Sequence, residues 1–517
     1  MTWKFDAIPK HIVLALVLFV SIASISVYRM KSSVNSPDEA ANVVFVSTWK
    51  QTQTLSQSLP VSQTNSYPLF PRSAAATGSA IVPTGFVGLP ILFGTFAIIF
   101  GIASAFYITI FFTAIAALGF WYLVKNIFSR GVADISVWLF LFHPAVLYYS
   151  VRGLFPNMLM MDLIIISAAA AWYSLRHSSR AMALLGVLSA LAACAVRPPE
   201  AFVIATLIGV AAFIFGSKKI RRVALWSILS VVAVAALFFL ARSRGLLPGG
   251  YQFLNSYSIG SILFPFGFYL ARILRSGYYF AVYLFFPVTL AAAAGFIWYF
   301  YNAFKQKIVD KEILGYSAVF VVVSVWLFAL YGSWVFSDNL QNKNAVTLGA
   351  SYVRYWIPFF VLSIPFVGIF VRACAARFSL SEKKISALVV SCAVLFGLWR
   401  SFFGADGILW VTDEVAASRS TVSRVLEIVP NNAVIAVRAW DKYFFPHRAV
   451  LQPFPKDART FLAVRELLAR GTPVFAFIEG VKDTDRLWLR DNGFAAEEVE
   501  KFGGHTLYTL KLWTEKQ

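Results

Sequence analysis

The sequence predicts an all-α polytopic membrane protein of about eleven transmembrane helices, with a long first outer loop carrying juxtamembrane helices and a small C-terminal α/β soluble domain. Three observations carry this. The 517 residues are 59% hydrophobic and 14% charged, with a mean hydropathy of +0.70, whereas a soluble domain carries about 25% charged residues. Continuous apolar stretches of roughly 17–25 residues recur from Ile12 to Phe403, long enough to cross a bilayer as helix. From about Gly404 the composition turns mixed and charged.

The first span covers roughly Ile12 to Tyr28, after Lys4 and Lys10. No small-residue cleavage site stands before Arg29, so it reads as an uncleaved span with a cytoplasmic N-terminus. Later spans fall at about 105–128, 133–149, 157–175, 181–196, 199–216, 223–241, 277–301, 314–333, 356–371 and 385–403. The turns this parity places inside carry Lys125/Arg130, Arg176/Arg180, Lys218-Lys219 with Arg221-Arg222, Lys305/Lys307/Lys311, and Arg372/Arg377/Lys383/Lys384, as the positive-inside rule requires. Pro83–Gly101 is apolar but broken by prolines and glycines. If it spanned, the basic turns would face outward, so it reads as interfacial or re-entrant within a first outer loop of about 29–104. The same parity puts the C-terminal region outside.

The expected division is 1–403 as membrane domain and 404–517 as an extracytoplasmic domain. In the latter, Ala433–Arg438, Pro473–Ile478 and Thr506–Leu512 read as strands, and Val422–Ile428, Thr460–Arg470 and Asp485–Asp491 as helices. No internal repeat or Gly-rich phosphate loop appears. Residues 405–517 hold 15 basic and 15 acidic residues, so the net charge of +20 belongs to 1–404, with 30 basic and 10 acidic. Basic charge beside spans is a topology signal and an attraction to anionic lipid, and argues against a nucleic-acid partner. Cys194, Cys374 and Cys392 all lie before residue 404, so no disulfide staples the C-terminal domain, and the five histidines show no metal-ligand spacing.

The few acids before residue 405 narrow the search. The topology places Asp38, Glu39, Asp162, Glu200 and Asp338 on the outer side, Asp162 within a span, where an ionisable residue is costly and a functional candidate. In Asn35-Ser36-Pro37-Asp38-Glu39, Ser36, Pro37 and Glu39 fit a capped helix start, which leaves Asp38 without a structural task. Arg152, Arg197 and Arg354 lie on the same side near membrane depth. They fit snorkelling to headgroups. They equally fit recognition of a phosphate-bearing lipid, because guanidinium is the better fork for phosphate.

These residues resemble the GT-C superfamily of membrane glycosyltransferases, nearest to glycosyltransferase family 39, which includes protein O-mannosyltransferases and lipid A aminoarabinose transferases. The resemblance covers roughly residues 8–400. Four features carry it: Asp38-Glu39 in the long outer loop, the broken apolar element Val82–Gly101, the stretch from His143-Pro144 through Tyr148-Tyr149-Ser150-Val151-Arg152 to Pro156, and the pair Arg197-Pro198 and Arg354-Tyr355-Trp356-Ile357-Pro358. Where many relatives carry an acid soon after the arginine, this chain has Asn157, and the nearest acid is Asp162.

The resemblance implies transfer of a sugar from a polyprenyl-phosphate-linked donor to an extracytoplasmic acceptor (protein, lipid or glycan), by single displacement with inversion. It implies Asp38 as general base, Glu39 as a second catalytic-site acid that orients the acceptor or caps the helix, and Arg152, Arg197 and Arg354 as contacts to the donor phosphate. Asn157, Asp162, Glu200 and Tyr355 are secondary candidates. A divalent metal, Mg or Mn, stays open, with Asp38 and Asp162 as the only ligands the pattern offers. The implied setting is a bacterial inner membrane, with an endoplasmic reticulum setting also open. A transporter or flippase of lipid-linked sugars and a polysaccharide polymerase or ligase are the alternatives. The polar loop 334–353 and the segment Gly245–Tyr257 read either as connectors or as flaps over a donor site. Asp441, His447 and Asp457 read as scattered surface polarity.

Overall fold

The computed structural model describes residues 8–31, 34–216, 266–336, 345–379, 381–445, 447–455, 457–479 and 489–513, with isolated positions between 218 and 244. The span expected at 223–241, the segment Gly245–Tyr257, the polar centre of the 334–353 loop and most of the helix expected at Asp485–Asp491 lie outside the described residues.

The chain divides into two compact units. The first comprises 1–29, 106–247 and 256–410; the second comprises 30–105, 248–255 and 411–517. This division does not follow chain order at residue 404: the first outer loop and the C-terminal region belong together, because they share apolar cores.

The first unit is helical. Its elements are α1 (Lys10–Arg29), with α2 and α3 in the other unit, then α4 (Ile108–Ile127), α5 (Arg130–Phe142), α6 (Pro144–Val151), α7 (Pro156–His177), α8 (Arg180–Val196), α9 (Pro198–Phe215), α10 (Leu270–Gly277), a π-turn Tyr278–Tyr283, α11 (Phe286–Gln306), α12 (Lys311–Gly332), α13 (Ser351–Tyr355), α14 (Ile357–Arg377) and α15 (Glu382–Phe403). Among the described residues seven helices are long and apolar enough to cross a membrane, and nine if each of two bent pairs is one span. Of the eleven expected spans, nine correspond to these; α8 is a shorter apolar helix of 17 residues, and the span expected at 223–241 lies outside the described residues.

Proline explains the bends and starts. Pro144 at the head of α6 removes a donor and restricts His143 to extended backbone, so α5 and α6 meet at 48°. His143 caps α6, its Nδ1 accepting from the Ala145 N–H at 3.2 Å. Pro156, Pro198 and Pro358 sit in the first turns of α7, α9 and α14, where a missing N–H costs nothing. These three starts each follow one of the candidate arginines.

Packing between spans relies on small residues. A methyl added at Gly295 of α11 would lie 1.8 Å from the Phe366 carbonyl oxygen of α14, and one at Gly397 of α15 would lie 1.8 Å from that of Phe142. Close backbone approach of this kind is how helices associate where lipid removes the hydrophobic drive. The exposed faces remain apolar, with Leu14, Val17, Leu184, Leu188 and Ile297 all outward, as expected of surfaces solvated by lipid.

The second unit holds α2 (Pro37–Thr52), strands β1 (Gln57–Ser58), β2 (Ala74–Thr77) and β3 (Ala80–Pro83), and α3 (Gly88–Phe100). The strands form an antiparallel sheet in the order β1-β3-β2. At 13 residues, α3 spans about 20 Å, short of the ~30 Å hydrocarbon core. It packs on α2 through Gly94, whose α-carbon faces the Trp49 side chain, and exposes Ile98, Ile99 and Phe100.

The remainder of this unit follows α16 (Ile408–Ile428): β4 (Val434–Val437), α17 (Asp441–Phe444), β5 (Ala449–Leu451), α18 (Ala458–Ala469), β6 (Val474–Glu479), β7 (Phe494–Phe502) and β8 (His505–Leu512). The sheet order is β5-β4-β6-β8-β7, with β5, β4 and β6 parallel and β8 and β7 antiparallel to their neighbours. One face packs Val434, Ala436 and Leu451 with Phe461, Val464, Val61 and Leu69; the other packs Ile435, Val437 and Phe477 with Val422, Val425, Ala41, Phe45 and Ile81. The outer-loop residues in both clusters are what tie 30–105 to this sheet.

Candidate functional site

The first unit brings the three candidate arginines onto one track of aromatic rings. Arg152 follows α6, and its Nη1 donates to the Tyr148 hydroxyl at 2.8 Å. Its guanidinium lies 5.0 Å from the Phe155 ring centroid, and that of Arg354 lies 4.7 Å from the same ring. Arg354 also lies 5.1 Å from the Tyr355 ring and donates to Ser351 Oγ at 3.0 Å. Arg197 completes the series at 4.7 Å from the Tyr355 ring. Guanidinium and ring therefore alternate from Arg152 through Phe155, Arg354 and Tyr355 to Arg197. Rings hold the planar cations by their quadrupole without neutralising them, so the fork donors can be aimed by stacking.

Arg197 also forms an ion pair. Its Nε donates to Glu200 Oε1 at 2.7 Å, its Nη2 also reaches that oxygen, and Nη2 lies 3.0 Å from the Tyr331 hydroxyl, which itself donates to Glu200. Glu200 is 1% exposed. The spacing that produces the pair is local: residues 197 and 200 flank the first turn of α9 behind Pro198-Pro199.

Helix α4 holds the segment that ends in Arg152. Thr109 Oγ1 donates to the Gly153 carbonyl at 2.7 Å, Thr113 Oγ1 lies 3.1 Å from Ser150 Oγ, and Thr113 donates to Asp162 Oδ2 at 2.7 Å. Asp162 is fully buried, and its Oδ1 has no hydrogen-bond partner among the described residues. Asn157, buried in the first turn of α7, lies one and a half turns before it.

In the second unit, Asp38 and Glu39 occupy the first turn of α2. Ser36 caps the helix, its Oγ accepting from the Asp38 N–H at 3.3 Å, and Glu39 accepts from the Asn35 N–H at 3.4 Å. The capping function expected of Ser36 and Glu39 is thus present, with Glu39 reaching one residue further back than a capping box requires. Asp38 Oδ1 accepts a hydrogen bond from Ser73 Oγ. Lys442 Nζ and the Tyr443 hydroxyl both donate to Asn35 Oδ1, at 2.7 and 2.6 Å.

Among the described residues no group of three His, Cys, Asp or Glu side chains is placed to hold a metal. Around Asp162 the oxygen donors are one carboxylate and the hydroxyls of Thr113 and Ser150, whereas Mg or Mn takes about six oxygens. Near Asp38, the Ser73 hydroxyl donates to Oδ1 of the carboxylate.

Sequence reasoning missed the ring partners Phe155, Tyr148 and Tyr331, and in the second unit Arg72, Ser73 and Asp441. Phe155 stands three residues after Arg152 and offered a local signal. Asp441 and Arg72 are 369 positions apart, and no pattern in one sequence joins them.

Long apolar helices with bent, proline-led spans, joined in one chain to an α/β unit, make this an integral multi-pass membrane protein. No family model matches the chain, and no curated protein sequence matches it. Its fold is similar to that of ArnT from Cupriavidus metallidurans, solved bound to undecaprenyl phosphate: TM-score 0.56, 11% identity, covering 96% of this chain and 97% of that one. It is also similar to the oligosaccharyltransferase AglB from Archaeoglobus fulgidus, in complex with an inhibitory peptide and a dolichol-phosphate: TM-score 0.52, 11% identity, 95% of this chain and 74% of that one. A second structure of the Archaeoglobus enzyme, described as a complex with Zn and sulfate, aligns with TM-score 0.50 at 12% identity, over 95% of this chain and 72% of that one. The chain therefore has an ArnT-like fold.

Proposed function

We propose that this protein is a membrane glycosyltransferase. It moves a sugar from a polyprenyl-phosphate-linked donor to an acceptor outside the cytoplasm, in a bacterial-type inner membrane. The single observation that carries the proposal is the alternating track of Arg152, Phe155, Arg354, Tyr355 and Arg197, set in a fold whose solved neighbours were captured with undecaprenyl phosphate and dolichol-phosphate.

The chemistry is a single displacement. Asp38 takes the proton of an acceptor hydroxyl or amine as the heteroatom attacks the anomeric carbon. The bond from that carbon to the donor phosphate oxygen breaks, and the electron pair leaves with the lipid phosphate. The guanidinium groups stabilise the charge that grows there, and being held by rings they need little reorganisation. Attack opposite the leaving group inverts the anomeric centre. Glu39 holds the start of α2 and so the direction of Asp38.

The test is incubation of purified protein in vesicles with a radiolabelled polyprenyl-phosphate sugar and membrane extract. Label passing to a new acceptor, and lost in Asp38→Asn at normal expression, is the expected result. Label that only changes leaflet supports transport, and elongation of a lipid-linked glycan supports a polymerase. Near-normal product from Asp38→Asn removes that residue from the mechanism.

A further inference from the structure

We propose that Asp441 is a positioning residue for Asp38, acting from the C-terminal sheet through Arg72 and Ser73. The proposal rests on the reading of Asp38 as the base and gives the C-terminal region a part in the reaction.

Asp441 opens α17 and is fully buried. Its whole carboxylate is committed to one residue. Oδ2 accepts the Arg72 backbone N–H at 2.8 Å, and Oδ1 accepts Arg72 Nε at 2.9 Å and Nη2 at 2.7 Å. Arg72 Nη2 also donates to the Ala439 carbonyl at 2.7 Å. Side chain and main chain of residue 72 are therefore both clamped, which fixes the peptide leading into Ser73.

Ser73 has φ +63°, within a turn closed by the Ala74 N–H on the Pro71 carbonyl at 3.3 Å. A left-handed residue at this place in a turn is normally glycine. Serine is strained there, yet it supplies what glycine lacks, a hydroxyl that donates to Asp38 Oδ1. The clamp by Asp441 holds the strained turn, and the turn aims the hydroxyl. A carboxylate bonded by a fixed donor is held in one orientation, which is what a general base requires.

The discriminating variant is Ser73→Gly, which relaxes the turn and removes the donor. In vesicles with a labelled polyprenyl-phosphate sugar, kcat is expected to fall about tenfold, the scale of a lost hydrogen bond to a charged group. The donor KM is expected to stay within about twofold and the melting temperature to hold or rise. Asp441→Asn should lower kcat likewise, and the double variant should be no worse than the stronger single one, because both act on one path. Wild-type kcat in Ser73→Gly overturns the proposal, and so does a fully additive double variant. If Asp38→Asn itself transfers normally, the base reading fails; if Asp38→Asn is inactive while Ser73→Gly is normal, only the positioning role fails.

Discussion

Tyr331 stacks on Tyr355 with ring planes 5° apart and centroids separated by 4.2 Å. The two rings hold one buried ion pair between them: the Tyr331 hydroxyl bonds Glu200, and the Tyr355 ring carries the guanidinium of Arg197. The stack makes Arg197 both a structural cation and a donor-site candidate, and the two roles can be separated.

Glu200→Gln leaves Arg197 charged, buried and without its carboxylate. Breaking a buried pair from one side costs about 3–5 kcal/mol, and the glutamine carbonyl recovers part of that. Thermal unfolding in detergent should show a drop of several degrees. The double variant Arg197→Met/Glu200→Leu should recover most of the stability, since apolar replacement of a buried pair is often neutral, while losing donor affinity. Recovery of both stability and affinity would leave Arg197 as packing only.

Arg354 stands between two rings, and its planar fork is suited to that place. Arg354→Lys keeps the charge but loses stacking and bidentate geometry. The expected loss in kcat/KM for the lipid donor is about 10–100-fold, less than the ~100–1,000-fold seen when a transition-state donor is removed outright, because the charge is kept. Phe155→Leu, which removes the ring shared by Arg152 and Arg354, should cost less and act mainly on KM. Steady-state kinetics against donor concentration separates these outcomes. A lysine variant with unchanged kcat/KM would take Arg354 out of phosphate binding.

Much of this was legible in the sequence because it is local. The spans follow from continuous apolar runs, the prolines and glycines of 83–101 agree with the short helix α3, and the start of α2 follows from Ser36, Pro37 and Glu39. The arginines were legible as a set because acids are scarce before residue 405 and the predicted topology put these three with Asp38 on one side. What was not legible is long-range. Val61, Leu69, Phe45 and Ile81 join the cores of a sheet some 350 residues away, so 30–105 folds with the C-terminal region despite the expected boundary near 404. Strand β5 is only three residues long, too short to show a period. Strand β7 alternates only partly and carries Glu497, Glu498 and Glu500 on an edge, which hides it. Asp441 read as surface polarity because its partner, Arg72, lies in another part of the chain.

His505 gives the sheet a pH dependence. Burial holds its pKa below the usual value, outweighing the nearby Glu479 and Glu414. The neutral ring stacks on Phe477 and accepts the Trp440 Nε1–H at its Nε2, 3.0 Å away. A protonated ring carries a proton on that nitrogen and cannot accept. Because the folded pKa is depressed, the stabilisation is present above the unfolded value of about 6.5 and is lost as pH falls below it. Hydrogen exchange, corrected for intrinsic rate, should show less protection of β6 and β8 at pH 5 than at pH 7.5. His505→Gln should flatten that dependence. Equal protection at both pH values in the wild type would mean the ring stays neutral or contributes nothing.

Gly295 tests how closely α11 and α14 must approach. A methyl there meets the Phe366 carbonyl at 1.8 Å, and a backbone atom cannot swing aside as a side chain can. Gly295→Ala must therefore push α14 away, at about 1–3 kcal/mol for overpacking. The displacement does not stay local, because α14 begins at Ile357, directly after Arg354 and Tyr355. Moving its start moves the rings and guanidinium of the proposed donor site. The expected result is a lower melting temperature together with a raised donor KM. Gly85→Ala, where an added methyl meets nothing within 4 Å, is the control and should change neither. If Gly295→Ala lowered stability while leaving donor KM untouched, α14 would be packing scaffold alone, mechanically uncoupled from Arg354.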